Sequence, residues 1–104
     1  MGKLIRDRVP DIVREGGHHI AVRELAADEY AAALRAKLLE EAREAHDAAG
    51  RAALLEELAD LAEVALALAQ HEGITEAEIL NQRAAKNRSH GTFDGRLFST
   101  SYRS

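Results

Sequence analysis

An all-α fold is what this sequence predicts, and three observations predict it. Ala, Leu, Glu and Arg dominate the composition, the single proline stands at position 10, and two long stretches without a helix breaker carry apolar side chains at helical spacing. Met1 to Pro10 alternates charged with apolar residues, and Pro10 suits the first turn of a short helix over Asp11 to Glu15, where its missing N–H needs no partner. Gly16-Gly17 ends that helix, and Ile20, Val22 and Leu25 predict extended chain after it. Asp28 is placed to cap a long helix that runs to about Ala49 and stops at Gly50. A second long helix, antiparallel to the first, spans Ala52 to His71 and is closed by Gly73. Thr75 with Glu78 forms a capping box for a helix over Glu76 to Asn87. Gly91 and Gly95 break the pattern, and Ser99 to Ser104 reads as an extended or frayed end.

The 104 residues predict one domain over 1–104 with a small aliphatic core, since there is no Trp and there are two Phe and two Tyr. A net charge of −4 disfavours a nucleic-acid duplex as partner, although it leaves room for a small anionic ligand. With no cysteine there are no disulfides, thiolate zinc sites or cysteine nucleophiles. No apolar run is long enough for a membrane span, and no signal-peptide core opens the chain, so a cytoplasmic location is expected.

The distribution of charge says more than its sum. Residues 1–39 carry a net +1, residues 40–63 a net −6 and residues 64–104 a net +1, so an acidic centre lies between cationic flanks. At about 100° per residue the first long helix turns Ala31, Leu34, Leu38 and Ala45 to one side. Glu41 falls inside that side and Glu44 lies at its margin, whereas Glu40 and Asp47 point to the polar face. The second long helix repeats the arrangement: Leu54, Leu58, Leu61, Val64 and Leu68 form its stripe, Glu57 lands within it and Asp60 flanks it. A solvated glutamate is the ordinary reading of any one of these. Two helices that each set an acid pair at i and i+3 against a leucine stripe would crowd four negative charges together, which demands a counter-charge. A divalent metal fits best, and all-oxygen ligation favours Mg²⁺ or Mn²⁺ over zinc or copper. The di-iron pattern Glu-x-x-His occurs only at Glu15 to His18, across two glycines, and His18, His19, His46, His71 and His90 read as surface or packing residues.

Glu40-Glu41-Ala42-Arg43-Glu44, followed by Glu57-Leu58-Ala59-Asp60, resembles the Glu-Glu-x-x-Glu and Glu-x-x-Asp signature of the MazG-like all-α nucleoside triphosphate pyrophosphohydrolases. Lys3 to Pro10 is similar to the family's opening "KLVRDKIP", and Lys86, Gly91, Phe93 and Arg96 resemble its closing segment, so the likeness spans nearly the whole chain. The nearest branch is the small single-domain, phosphoribosyl-ATP pyrophosphohydrolase-like one. Departures stand at His90 and Thr92, where the family usually has Arg and Gly. The resemblance implies Mg²⁺-dependent cleavage between the α and β phosphates of a nucleotide, with Mn²⁺ as a substitute ion. It implies catalytic roles for Glu40, Glu41 and Glu44 and metal ligation by Glu41, Glu44, Glu57 and Asp60. Glu40 is the member the helical wheel turns away, and orienting water or holding a second ion is the role left for it.

A triphosphate cannot approach four carboxylates without intervening cations, and Lys3, Arg6, Lys86, Arg88 and Arg96 are the candidates for its outer phosphates. Asp7 alternatively pairs with Arg6 or Arg8, and Phe93 either stacks on a base or packs. Gly16-Gly17 lacks the spacing of a phosphate-binding loop. Two long helices cannot enclose both a core and a polar site, so a homodimer forming a four-helix bundle, or a pair of such dimers, is expected, with the basic C-terminal segment closing over the site. Beside pyrophosphohydrolysis of nucleotides, in the sense of clearing unwanted ones from the pool, two other readings remain. One is phosphoribosyl-ATP hydrolysis in histidine synthesis, and the other is a non-catalytic helical dimer assembled through metal or charge.

Overall fold

The structure, a computed structural model, describes residues 2–102. Helices α1 (Val9–Glu15), α2 (Ala27–Asp47), α3 (Arg51–His71) and α4 (Glu76–His90) account for its regular structure, and the described residues contain no strand. Of the expected frayed end, Arg103 and Ser104 lie outside the described residues.

Helix α1 begins two residues before the expected Asp11, with Pro10 in its first turn. The Gly16 N–H closes it by donating to the Ile12 carbonyl at 3.1 Å. Asp28 does not cap α2. The cap position belongs to Ala26, which has no side-chain acceptor, and the Glu29 carboxylate reaches back to accept the Ala26 N–H at 3.2 Å. Asp28 sits instead in the first turn, where its charge complements the helix dipole. Helix α2 stops at Asp47, short of Ala49, because Ala48 is extended (φ −64°, ψ 133°). Gly50 then reverses the chain at φ 87°, a conformation only glycine adopts without strain. This short turn makes α2 and α3 an antiparallel hairpin, the principal packing unit of the molecule. At α4 the expected capping box forms in full: Glu78 N–H donates to Thr75 Oγ1 at 3.1 Å, and Thr75 N–H donates to the Glu78 carboxylate at 3.1 Å. The helix continues past Asn87 to His90, until Gly91 at φ 82° ends it.

Leu34 at 2% exposure and Ala69 at 7% are the only apolar residues fully buried among those described. Ala31, Leu38 and Ala45 are half-buried on the face expected of α2, as are Leu61, Val64 and Leu68 on α3. Leu54 and Leu58, assigned to the same α3 stripe, are exposed in the single chain, together with Leu39 and Leu55. A two-helix sheet of side chains has only one covered side, so the leucines that turn off it meet water. The radius of gyration is 17.5 Å, against about 13 Å for a compact domain of this length.

Candidate metal centre

Packing α2 against α3 brings Glu41, Glu44 and Glu57 together, with one carboxylate oxygen from each lying within 4.8 Å of the others. Glu41 and Glu44 are neighbours because three residues make nearly one helical turn, and Glu57 faces them from α3. Glu41 is 6% exposed, an unusual burial for an acid, while Glu57 is half-buried and Glu44 open to solvent. Glu41 Oε2 and Glu57 Oε2 are buried without a hydrogen-bond partner. Burial first, and then the neighbouring Glu44 carboxylate, push the Glu41 carboxyl above the ordinary range, against the pull of Lys37.

Lys37 is a member of this site that sequence reasoning missed. Its side chain is 18% exposed, and its Nζ lies 3.5 Å from Glu41 Oε1 and 3.4 Å from Glu40 Oε2. The signal was present in the spacing, since Glu40 and Glu41 follow it at i+3 and i+4. Glu40 is accordingly half-buried and ion-paired, not the freely solvated group that the helical wheel places on the polar face; Lys3 Nζ approaches its other oxygen at 3.6 Å. Asp60, the fourth expected ligand, stands outside the converging three and accepts from Arg6 at 2.9 Å. Arg6 therefore pairs with Asp60 and not with Asp7.

The remaining expected phosphate ligands are carried elsewhere. Lys86 and Arg88 lie on α4 and Arg96 on the segment after it, and no ion pair among the described residues joins them to the acids. Among residues 92–102, Phe93 is 97% and Phe98 92% exposed, so Phe93 packs against nothing in the described chain. His71 is a packing residue, edge-on to Tyr30 with ring centroids 5.2 Å apart.

The donor set fits a divalent cation. Two buried carboxylate oxygens without partners are costly as they stand, and all three converging groups are hard oxygen ligands of the kind Mg²⁺ and Mn²⁺ select. No helix of the described chain is long and apolar enough to cross a membrane.

An uncharacterized protein of Mycolicibacterium smegmatis is 50% identical over 44 residues, covering 42% of this chain and 45% of the relative, so the chain spans less than half the length of the curated relative it matches. No solved structure is significantly similar. The family described as phosphoribosyl-ATP pyrophosphohydrolase matches residues 16–87, which include all five acids and Lys86 but not Lys3, Arg6, Arg88 or Arg96. The chain belongs to the phosphoribosyl-ATP pyrophosphohydrolase family, hydrolases of phosphoanhydride bonds within the MazG-like all-α superfamily.

Proposed function

We propose that this chain is a Mg²⁺-dependent nucleoside triphosphate pyrophosphohydrolase that cleaves the α–β phosphoanhydride to a nucleoside monophosphate and pyrophosphate, with Mn²⁺ able to replace Mg²⁺. The observation that carries the reading is the pair of buried, unpartnered oxygens on Glu41 and Glu57 within a three-carboxylate cluster. Glu41, Glu44, Glu57 and Asp60 hold the ion. A divalent ion held there supplies charge neutralisation for the phosphate oxygens and acidifies water. Glu40, half-buried at the edge of the cluster, accepts the proton of the attacking water, and Lys37 keeps that carboxylate in place. Lys3 and Arg6, from the segment before α1, meet the outer phosphates. Lys86, Arg88 and Arg96 do so from α4 and the following segment once a second copy of the chain completes the site.

That second copy is part of the proposal. Leu39 at 69% exposure and Leu55 at 59% offer an apolar face to a partner hairpin, and the radius of gyration of 17.5 Å is larger than that of a compact chain of this length. We take the assembly to be a homodimer with a four-helix core, or a pair of such dimers.

The test is pyrophosphate release from a panel of nucleoside triphosphates with and without Mg²⁺. Wild type is expected to be metal-dependent, and Glu41→Gln and Asp60→Asn to lose about 100-fold or more of that activity. Sedimentation of the same preparation is expected to give two or four chains. Full activity in both variants, or no metal-dependent product from any substrate, overturns the assignment. The family's own description favours phosphoribosyl-ATP as the alternative substrate, and turnover of it to the exclusion of the triphosphate panel would establish that reading.

A further inference from the structure

The segment before α1 lies across the acid cluster on two ion pairs between residues distant in sequence. Lys3 Nζ meets Glu40 Oε1 on α2 at 3.6 Å, and Arg6 donates to Asp60 Oδ1 on α3 at 2.9 Å. Leu4 and Ile5, between the two cations, are half-buried. The segment is thus a strap, anchored by apolar side chains and tied at either end to a different helix.

The two ties differ in kind. Glu40 keeps Lys37 at its other oxygen, so the Lys3 end joins a charge already compensated from within α2. Asp60 is the acid that stands outside the converging Glu41, Glu44 and Glu57, and it is the one an arginine holds. Arg6 and Asp60 are 62% and 36% exposed, and an ion pair so open to water is weak and readily exchanged. A divalent ion offers Asp60 twice the charge of a guanidinium at a smaller radius.

We infer that Arg6 is a place-holder for the metal: it occupies Asp60 in the metal-free protein and surrenders it when the ion binds. The inference rests on the metal-site reading above. Exchange leaves Lys3, Leu4 and Ile5 in place as the hinge end of the strap and frees the guanidinium at the mouth of the site, where an anionic ligand would meet it. Arg6 is in this account a positioning residue that couples ion binding to the ligand's arrival. The guanidinium that leaves Asp60 is thereby the same group that becomes free to bind the anion.

The full chain without nucleotide, at low ionic strength, provides the test. Mn²⁺ titrated into Arg6→Gln is expected to bind about two- to five-fold more tightly than to wild type, the scale of an exposed ion pair. Arg8→Gln removes the same charge two positions away, from a residue making none of these ion pairs, and is expected to leave the affinity unchanged. In wild type the Arg6 Nε–H resonance is expected to shift on Mg²⁺ addition with the midpoint of ion binding. In Asp60→Asn it is expected to sit at the released position before any metal is added. A resonance that stays still while Mg²⁺ binds, or equal Mn²⁺ affinities for Arg6→Gln and Arg8→Gln, overturns the place-holder role and leaves the metal site standing. Absence of Mn²⁺ binding to wild type overturns both.

Discussion

Glu29 and Glu41 lie on the same helix and meet opposite fates. At the start of α2 Glu29 is exposed and fully served: Arg23 donates to both of its oxygens, at 2.9 and 3.3 Å, and the Ala26 N–H donates at 3.2 Å. Those contacts, the Arg23 hydrogen bonds first among them, hold its carboxyl below the ordinary range. Three turns on, Glu41 is buried with one oxygen unpartnered and another acid beside it, and its carboxyl is pushed up. Where a carboxylate serves the helix, neighbours at short sequence separation satisfy it. Where it is left wanting, no neighbour among the described residues serves its second oxygen.

That contrast depends on α2 staying packed on α3, and Leu34, at 2% exposure between the two glutamates, is its anchor. Leu34→Ala is expected to cost about 2–5 kcal/mol of stability, read as a fall in the denaturant midpoint, and in so thin a core to loosen the cluster as well. Glu41→Gln breaks the contrast at its buried end. Ion affinity is expected to fall about 100-fold, while the metal-free protein gains about 1 kcal/mol because a poorly served charge is gone. The sign with pH follows from the raised carboxyl. Folding favours its neutral form over the charged one, so metal-free wild type loses stability as pH rises from the ordinary carboxylate range through the raised value. Thermal melts of wild type against Glu41→Gln across that window check this, with the variant flat. The smallest effect is at Glu29. Its depressed carboxyl adds stability above the ordinary carboxylate range and loses it as pH falls below. Glu29→Gln is expected to remove a little of the acid-side slope of the melting temperature and to leave ion binding untouched.

Much of this was legible from spacing alone. Helical periodicity located α2 and α3, Pro10 with Gly16-Gly17 marked α1, and the Thr75–Glu78 box marked the start of α4. Asp28 misled because an acid early in a helix serves as cap or as first-turn charge, and only the backbone angle at Ala26 separates the two. The wheel found Glu41 and Glu57 because burial on a hairpin follows the face. It set Glu40 apart from the converging three, as the structure does, but did not reveal the ion pairs that half-bury it, with Lys37 one turn back on the same helix and Lys3 from another segment. Leu54 and Leu58 sit on the stripe the periodicity assigns, yet burying them takes more than α2 supplies. The Arg6–Asp60 pair joins residues 54 apart, a contact set by topology that no local pattern encodes.

The Gly50 turn bears on the order in which these charges meet. Glu41, Glu44 and Glu57 belong to one αα-hairpin, and bringing them together closes only the short turn between α2 and α3. Bringing Arg6 to Asp60 closes a loop across 54 positions and carries the larger entropic cost. Contacts of low sequence separation are the ones folding chains make soonest. The negative charges of the centre are therefore expected to assemble ahead of the arginine that tempers them, an order that a folding experiment on Arg6→Gln would read.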